Sequence, residues 1–155
     1  MSATTALKIP LAPRERQLLE ALADGSTLAA AAEHIGLREM TAKGYLQHAK
    51  EKLGGMRRTA AAIATAYATK SITPPDLLDV EGLCISREQR VLVPLVVRGE
   101  RTAEIAAAVR RPAALVSEDI RGLMAALGAR NSAHLAKLAW QYRLLTREEV
   151  LAWKL

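Results

Sequence analysis

Residues 27–53 read TLAAAAEHIGLREMTAKGYLQHAKEKL, and this stretch decides the fold. Gly36 divides it into two helical patterns. Before the glycine, Ala29, Ala32 and Ile35 recur at helical spacing. After it, Leu46, Ala49 and Leu53 do the same, at i, i+3 and i+7. Ser26 or Thr27 can cap the first pattern, and Gly54-Gly55 stop the second. The reading is a short helix, a tight turn, and a longer helix from about 39 to 53 with a polar outer face.

Working outward, the flanks supply two more helices. Pro13 suits a first helical position; Leu18, Leu19 and Leu22 follow, and Gly25 ends the helix. A last, nearly all-alanine helix is expected over about 59–69, with Ile63 and Tyr67; its small side chains let another helix approach closely. This four-helix unit then repeats. Displaced by 74 positions without a gap, Leu11 meets Ile85, Leu18 meets Leu92 and Gly25 meets Gly99. Ala32 likewise meets Ala106, Leu46 meets Ile120, and Leu53-Gly54 meets Leu127-Gly128. Such self-similarity fixes the architecture. The expected fold is all-α, two tandem four-helix domains over 1–72 and 85–155. Residues 73–84, with Pro74-Pro75 and three acids, form a solvated linker. Thr146 and Glu149 make a capping box for a short final helix, with Trp153 covering an apolar patch.

Composition agrees. Of 155 residues half are hydrophobic, yet there are only two Trp, three Tyr and no Phe, which favours short close-packed helices over a sandwich or barrel. The net charge of +6 suits a phosphate-rich ligand, because Lys and Arg displace counterions from nucleic acid. Cys84, the only cysteine, excludes an intrachain disulfide and a paired-cysteine metal site, and is expected to be a small buried hydrophobe. His34, His48 and His134 are scattered without partners at ligand spacing. No metal, cofactor or catalytic constellation stands out, so the chain is not expected to be an enzyme. Residues 1–10 lack a leader's apolar run, and no stretch approaches a membrane span, so a cytoplasmic, nucleoid-associated protein is expected.

Helix, tight turn and polar-faced helix together describe a helix-turn-helix, whose second helix enters the major groove and presents its first side chains to base edges. Those positions hold Arg38, Met40, Thr41, Lys43, Gly44 and Gln47. Lys can reach guanine acceptors and Gln can pair with adenine. Lys50, Lys52, Arg57 and Arg58 follow, placed to meet phosphates, and Thr27 precedes the motif.

The stretch 11–19, LAPRERQLL, followed by Ala23-Asp24-Gly25 and the stretch 32–37, AEHIGL, resembles the DNA-binding domain of LuxR/FixJ-type regulators. The stretches 40–43, MTAK, 52–54, KLG, and 58–61, RTAA, continue the resemblance without a gap to Ile72. It implies a wingless helix-turn-helix in which Thr41 and Lys43 touch phosphate and base, with Gly44 and Gln47 on the same side. Arg38 departs from the family, which favours a small polar residue there, and Gly44 is unusual inside a helix.

The second unit resembles the family more loosely, through residues 85–92, 98–106 and 127–131. Pro94 is expected to kink its first helix. Its recognition segment reads Val116-Ser117-Glu118-Asp119: Ser117 replaces the lysine and two acids follow. Arg110, Arg111 and Arg121 keep positive charge nearby, so Ser117 and these arginines are its candidate contacts. The first unit is therefore the expected reader of double-stranded DNA, and the second a weaker reader or packing partner. The resemblance also implies pairing through the fourth helix, and a homodimer is expected, although intrachain pairing of the two fourth helices is open. The functional expectation is a sequence-specific transcriptional regulator. Two alternatives stand beside it: a module gripping RNA polymerase, a sigma factor or another regulator, and a nonspecific nucleoid or mobile-element protein.

Overall fold

The computed structural model describes residues 9–153, and among these there are nine helices and no strand. The leader expectation falls mostly outside that range. Helix α1 (Pro13–Ala23) begins at Pro13, where a proline sacrifices no hydrogen bond. It closes ahead of Gly25, whose φ of +92° is a left-handed conformation that side chains resist. Helix α2 (Leu28–His34) is capped by the Thr27 hydroxyl, which accepts the Ala30 N–H at 3.1 Å. Gly36 turns the chain into α3 (Glu39–Lys52), and α4 (Thr59–Ala68) completes the first unit.

The second unit holds α5 (Arg87–Arg98), α6 (Thr102–Val109), α7 (Ala113–Leu127) and α8 (Ser132–Gln141), followed by α9 (Arg147–Ala152). Helices α5, α6 and α7 start 74 positions after α1, α2 and α3. Burial keeps the same register. Leu18, Leu19, Ala31, Ala42 and Ala49 are buried, and so are Leu92, Val93, Ile105, Val116 and Leu123. Where the first unit fills its core with alanine, the second uses a larger side chain.

Three local expectations change. Ala29 is exposed: α2 has two turns, and its inward side is set by Leu28, Ala31, Ala32 and Ile35. Cys84 is exposed, because it lies in the linker on the solvent side. Pro94, expected to kink this helix, does not end it: α5 continues from Arg87 to Arg98. The carbonyl it leaves without a partner belongs to exposed Arg90, where water can serve it.

The fourth helices join the two units. Helix α4 is buried at every residue from Ala60 to Ala68 and packs chiefly on α8, with α9 on another side. The relation is reciprocal: α1 of the first unit touches α8, and α5 of the second touches α4. This is the pattern of a two-fold interface, realised inside one chain. Alanines permit the close approach, and the rings of Tyr67 and Trp140 meet with centroids 5.6 Å apart. The Thr65 and Thr69 hydroxyls, buried in the middle, donate to the carbonyls of Ala61 and Thr65, each at 2.8 Å. Arg147 closes the end of α4 by donating to the Ala68 carbonyl at 2.7 Å. Of the two pairings that the sequence leaves open, the structure shows the one within the chain, with α4 packed on α8 and buried from Ala60 to Ala68.

Residues 73–84 are non-helical. They are pinned to the end of α8: the Leu78 N–H donates to the Gln141 carbonyl at 2.9 Å, and the Gln141 amide donates to the Asp76 carbonyl at 3.0 Å.

Candidate nucleic-acid interface

Helix α3 carries two faces. Ala42, Leu46 and Ala49 are buried against α1 and α2, and Leu53 closes that stripe. On the opposite side Met40, Thr41, Lys43, Gly44 and Gln47 are all exposed, so the sequence-predicted reading residues share one solvent face. Met40 is 82% exposed, an unusual position for a large apolar side chain. No atom outside the helix's own backbone lies within 4 Å of where a Cβ on Gly44 would stand, so the middle of this face is open.

The turn ahead of α3 is held rigidly. The Arg14 guanidinium of α1 donates to the Ile35 carbonyl at 2.7 Å, and the Leu37 N–H returns to the Ala32 carbonyl at 2.8 Å. Arg38 occupies the N-cap without capping through its side chain. The first N–H groups of α3 therefore face solvent beside an exposed arginine, which suits an anion.

The basic residues beyond the reading face divide. Lys52 does not stand free for phosphate: its ammonium meets the Glu15 carboxylate at 2.9 Å, and Glu15, 2% exposed, also accepts the Ala12 N–H at 2.8 Å. A buried carboxylate needs such partners, so Lys52 is a structural residue. Lys50 is half-buried and donates to the Arg57 carbonyl at 3.3 Å. Burial, and then the charge of Arg58, hold its ammonium below the usual lysine range. Arg57 and Arg58 are exposed but lie at the seam with the second unit. The Thr27 hydroxyl is committed to its cap.

In the second unit Ser117, Glu118 and Arg121 are exposed on α7, alongside Ala113, Ala114 and Leu115. Arg110, also exposed, ends α6 in a left-handed conformation at φ +58°. Arg111 is half-buried, and its guanidinium pairs with Asp119 at 2.8 Å. That pair engages one of the two acids and leaves Glu118 exposed. Ala113, Ala114 and Leu115 stand where the first unit has Glu39, Met40 and Thr41, so this face is more apolar and less basic than that of α3.

The sequence reading missed the Glu15–Lys52 pair, although a signal was present. Glu15 shares the apolar stripe of α1 with Leu18, Leu19 and Leu22, at i, i+3, i+4 and i+7, which places a carboxylate on the inward face. Among the described residues no group of three or more His, Cys, Asp and Glu side chains could hold a metal ion, and no helix is long and apolar enough to cross a membrane.

No curated protein and no solved structure matches the chain. Residues 9–65 match the family model described as bacterial regulatory proteins, luxR family, so the first unit, up to the middle of α4, is similar to the helix-turn-helix domain of that family.

Proposed function

We propose that the protein is a transcriptional regulator of the bacterial cytoplasm that reads duplex DNA through α3, with its second unit serving as the internal partner of the first. The observation that carries this reading is the shared exposure of Met40, Thr41, Lys43, Gly44 and Gln47 on one face of α3, behind the Gly36 turn. Lys43 and Gln47, one turn apart, are the direct readers. Met40 offers an apolar contact of the kind a thymine methyl takes. The free N–H groups at the start of α3, with Arg38 and Thr41, hold a phosphate and fix the register. The luxR-family match over 9–65 supports the same reading.

The chain acts as a monomer in this reading, because α4 already has its partner in α8. Its site is consequently asymmetric: one half is read by α3, and the other faces α7, which lacks the lysine. Selection of bound sequences from random duplexes, followed by gel shifts across a salt series, tests this. A single short motif without a palindromic repeat is expected. Affinity independent of sequence at every salt concentration would reduce the protein to a nonspecific nucleoid binder.

A second reading is favoured by α7. Leu115 is 41% exposed beside Ala113 and Ala114, with Glu118 next to them. Such a surface suits RNA polymerase or another regulator better than phosphate. In that case α3 positions the chain on DNA and α7 engages the protein partner.

A further inference from the structure

The seam between the units contains a cleft of about 630 Å³, bounded by the loop after α3, the start of α4, the end of α5, the start of α6 and Trp153. Four arginines line it: Arg57 and Arg58 from the first unit, Arg98 and Arg101 from the second. Opposing negative charge is nearly absent. Glu104 is the one carboxylate on the lining, and it already accepts the Arg101 backbone N–H at 2.8 Å. Arg98 has only a long pair with Glu100 at 3.8 Å. Among the described residues no carboxylate oxygen lies within 4.0 Å of the Arg57, Arg58 or Arg101 guanidinium. Like charges gathered this way repel one another; beside them the Lys50 ammonium is held low by its burial first and by the charge of Arg58 second.

Geometry sharpens the demand. The stem of Arg58 lies directly on Gly99, too close for any side chain there, so the two units meet without a gap at this point. Helix α4 begins at the cleft with Arg58 as an N-cap that contributes no side-chain hydrogen bond. The loop wall is Gly54-Gly55, bare backbone, and Gly55 has open space around it. The cavity falls within the range of small-molecule sites, about 300–1,000 Å³, and a recess of that size cannot admit a duplex. Guanidiniums bind phosphate oxygens in pairs. Trp153 supplies an indole on the same lining, a surface on which a planar base stacks.

We propose that this cleft binds a nucleoside polyphosphate, its phosphates held by Arg57, Arg58, Arg98 and Arg101 and its base laid against Trp153. The ligand bridges the units and so gives the chain a small-molecule input. The proposal does not rest on DNA reading by α3. The 155-residue chain is titrated with GTP, ATP, tripolyphosphate and guanosine, following tryptophan fluorescence and thermal stability at physiological salt. Saturable quenching and a raised melting temperature are expected for the nucleotides, and neither for guanosine. Arg98→Ala and Arg101→Ala, at exposed positions that leave the core intact, should each weaken nucleotide binding about tenfold. Lys43→Ala should leave it unchanged. Trp153→Phe should abolish the quenching while retaining the thermal shift, since Trp140 is engaged with Tyr67. Absence of any effect at millimolar nucleotide overturns the proposal. Tripolyphosphate binding as tightly as GTP overturns the role given to Trp153. Loss of DNA affinity in the Arg98 and Arg101 variants, with no nucleotide binding in the parent, makes the cleft a track for the DNA backbone instead.

Discussion

The Asn131 side-chain amide donates to the carbonyl of Gly25 at 3.1 Å, tying residues 106 positions apart across the seam between the units. The same side chain caps α8, its oxygen accepting the His134 N–H at 2.9 Å. One residue thus both starts the helix that buries α4 and secures it to the turn that ends α1. Aspartate at this position would keep the cap and lose the donor. Asn131→Asp should therefore destabilise the chain by about 1–2 kcal/mol, the cost of leaving a partly buried carbonyl unpaired, and Asn131→Ala should cost more because the cap is lost too. Denaturant melts of the three proteins check the order; equal stability of the aspartate variant and the parent would remove the seam hydrogen bond from the account.

The alanine seam makes a sharper claim. Ala64 of α4 and Ala139 of α8 are completely buried in helices that pack on each other. Ala64→Leu should cost about 1–3 kcal/mol through overpacking, and the parent should sediment or scatter as a monomer with and without DNA. A stable dimer in solution would require a surface other than the fourth helices.

Much of this arrangement was legible beforehand. The displacement by 74 positions predicts the helix starts because glycines and apolar positions recur together, and the helices begin in that register. The face of α3 was legible for the same reason, since Leu46, Ala49 and Leu53 define its inward side. Pairing was not legible. An alanine-rich helix announces close approach without naming its partner, and only three-dimensional contacts distinguish α8 from a second copy of α4. The fate of Lys52 and Arg111 was hidden likewise: each is neutralised by a carboxylate at a separation that helical periodicity does not encode.

Lys43 decides whether α3 reads bases. The side chain is exposed and contributes nothing to the core. Lys43→Ala should weaken binding to the selected DNA site by about 1–3 kcal/mol with no change in melting temperature. Lys43→Glu should weaken it further, whereas Ser117→Ala on α7 should have little effect. Affinities of the three variants on one duplex at fixed salt provide the comparison, and equal losses at Lys43 and Ser117 would make both helices readers.

Acidification should loosen the seam through His134. Partial burial, followed by the charges of Arg130 and Lys137, lowers its imidazole pKa, while Asp24 pulls weakly the other way. Its Nδ1 also accepts the Arg130 N–H at 3.1 Å, which only an unprotonated nitrogen can do. With the folded value below the unfolded one, the contribution to stability is complete above the usual histidine range near 6.5. It is lost as pH falls through that value and on through the folded one. Melting temperature should therefore drop between about pH 7.5 and pH 5, and His134→Gln should flatten that part of the profile. An unchanged slope in the glutamine variant would remove His134 as the source of the acid sensitivity.

Gly44 sets stability against reading. A helix interior normally disfavours glycine by about 1 kcal/mol relative to alanine, and no neighbouring atom obstructs a Cβ at this position. Gly44→Ala should consequently raise the melting temperature by about 2–4 °C, the shift that 1 kcal/mol gives in a chain of this size. The same methyl would stand in the middle of the face formed by Met40, Lys43 and Gln47. If α3 lies deep in the major groove, the methyl must displace contacts there, and affinity for the selected site should fall although the fold is firmer. Melting curves and gel shifts on one preparation separate the two effects. A variant that is more stable and binds just as tightly would mean that the glycine is not needed for close approach, and that Lys43 and Gln47 reach the bases from a shallower seat.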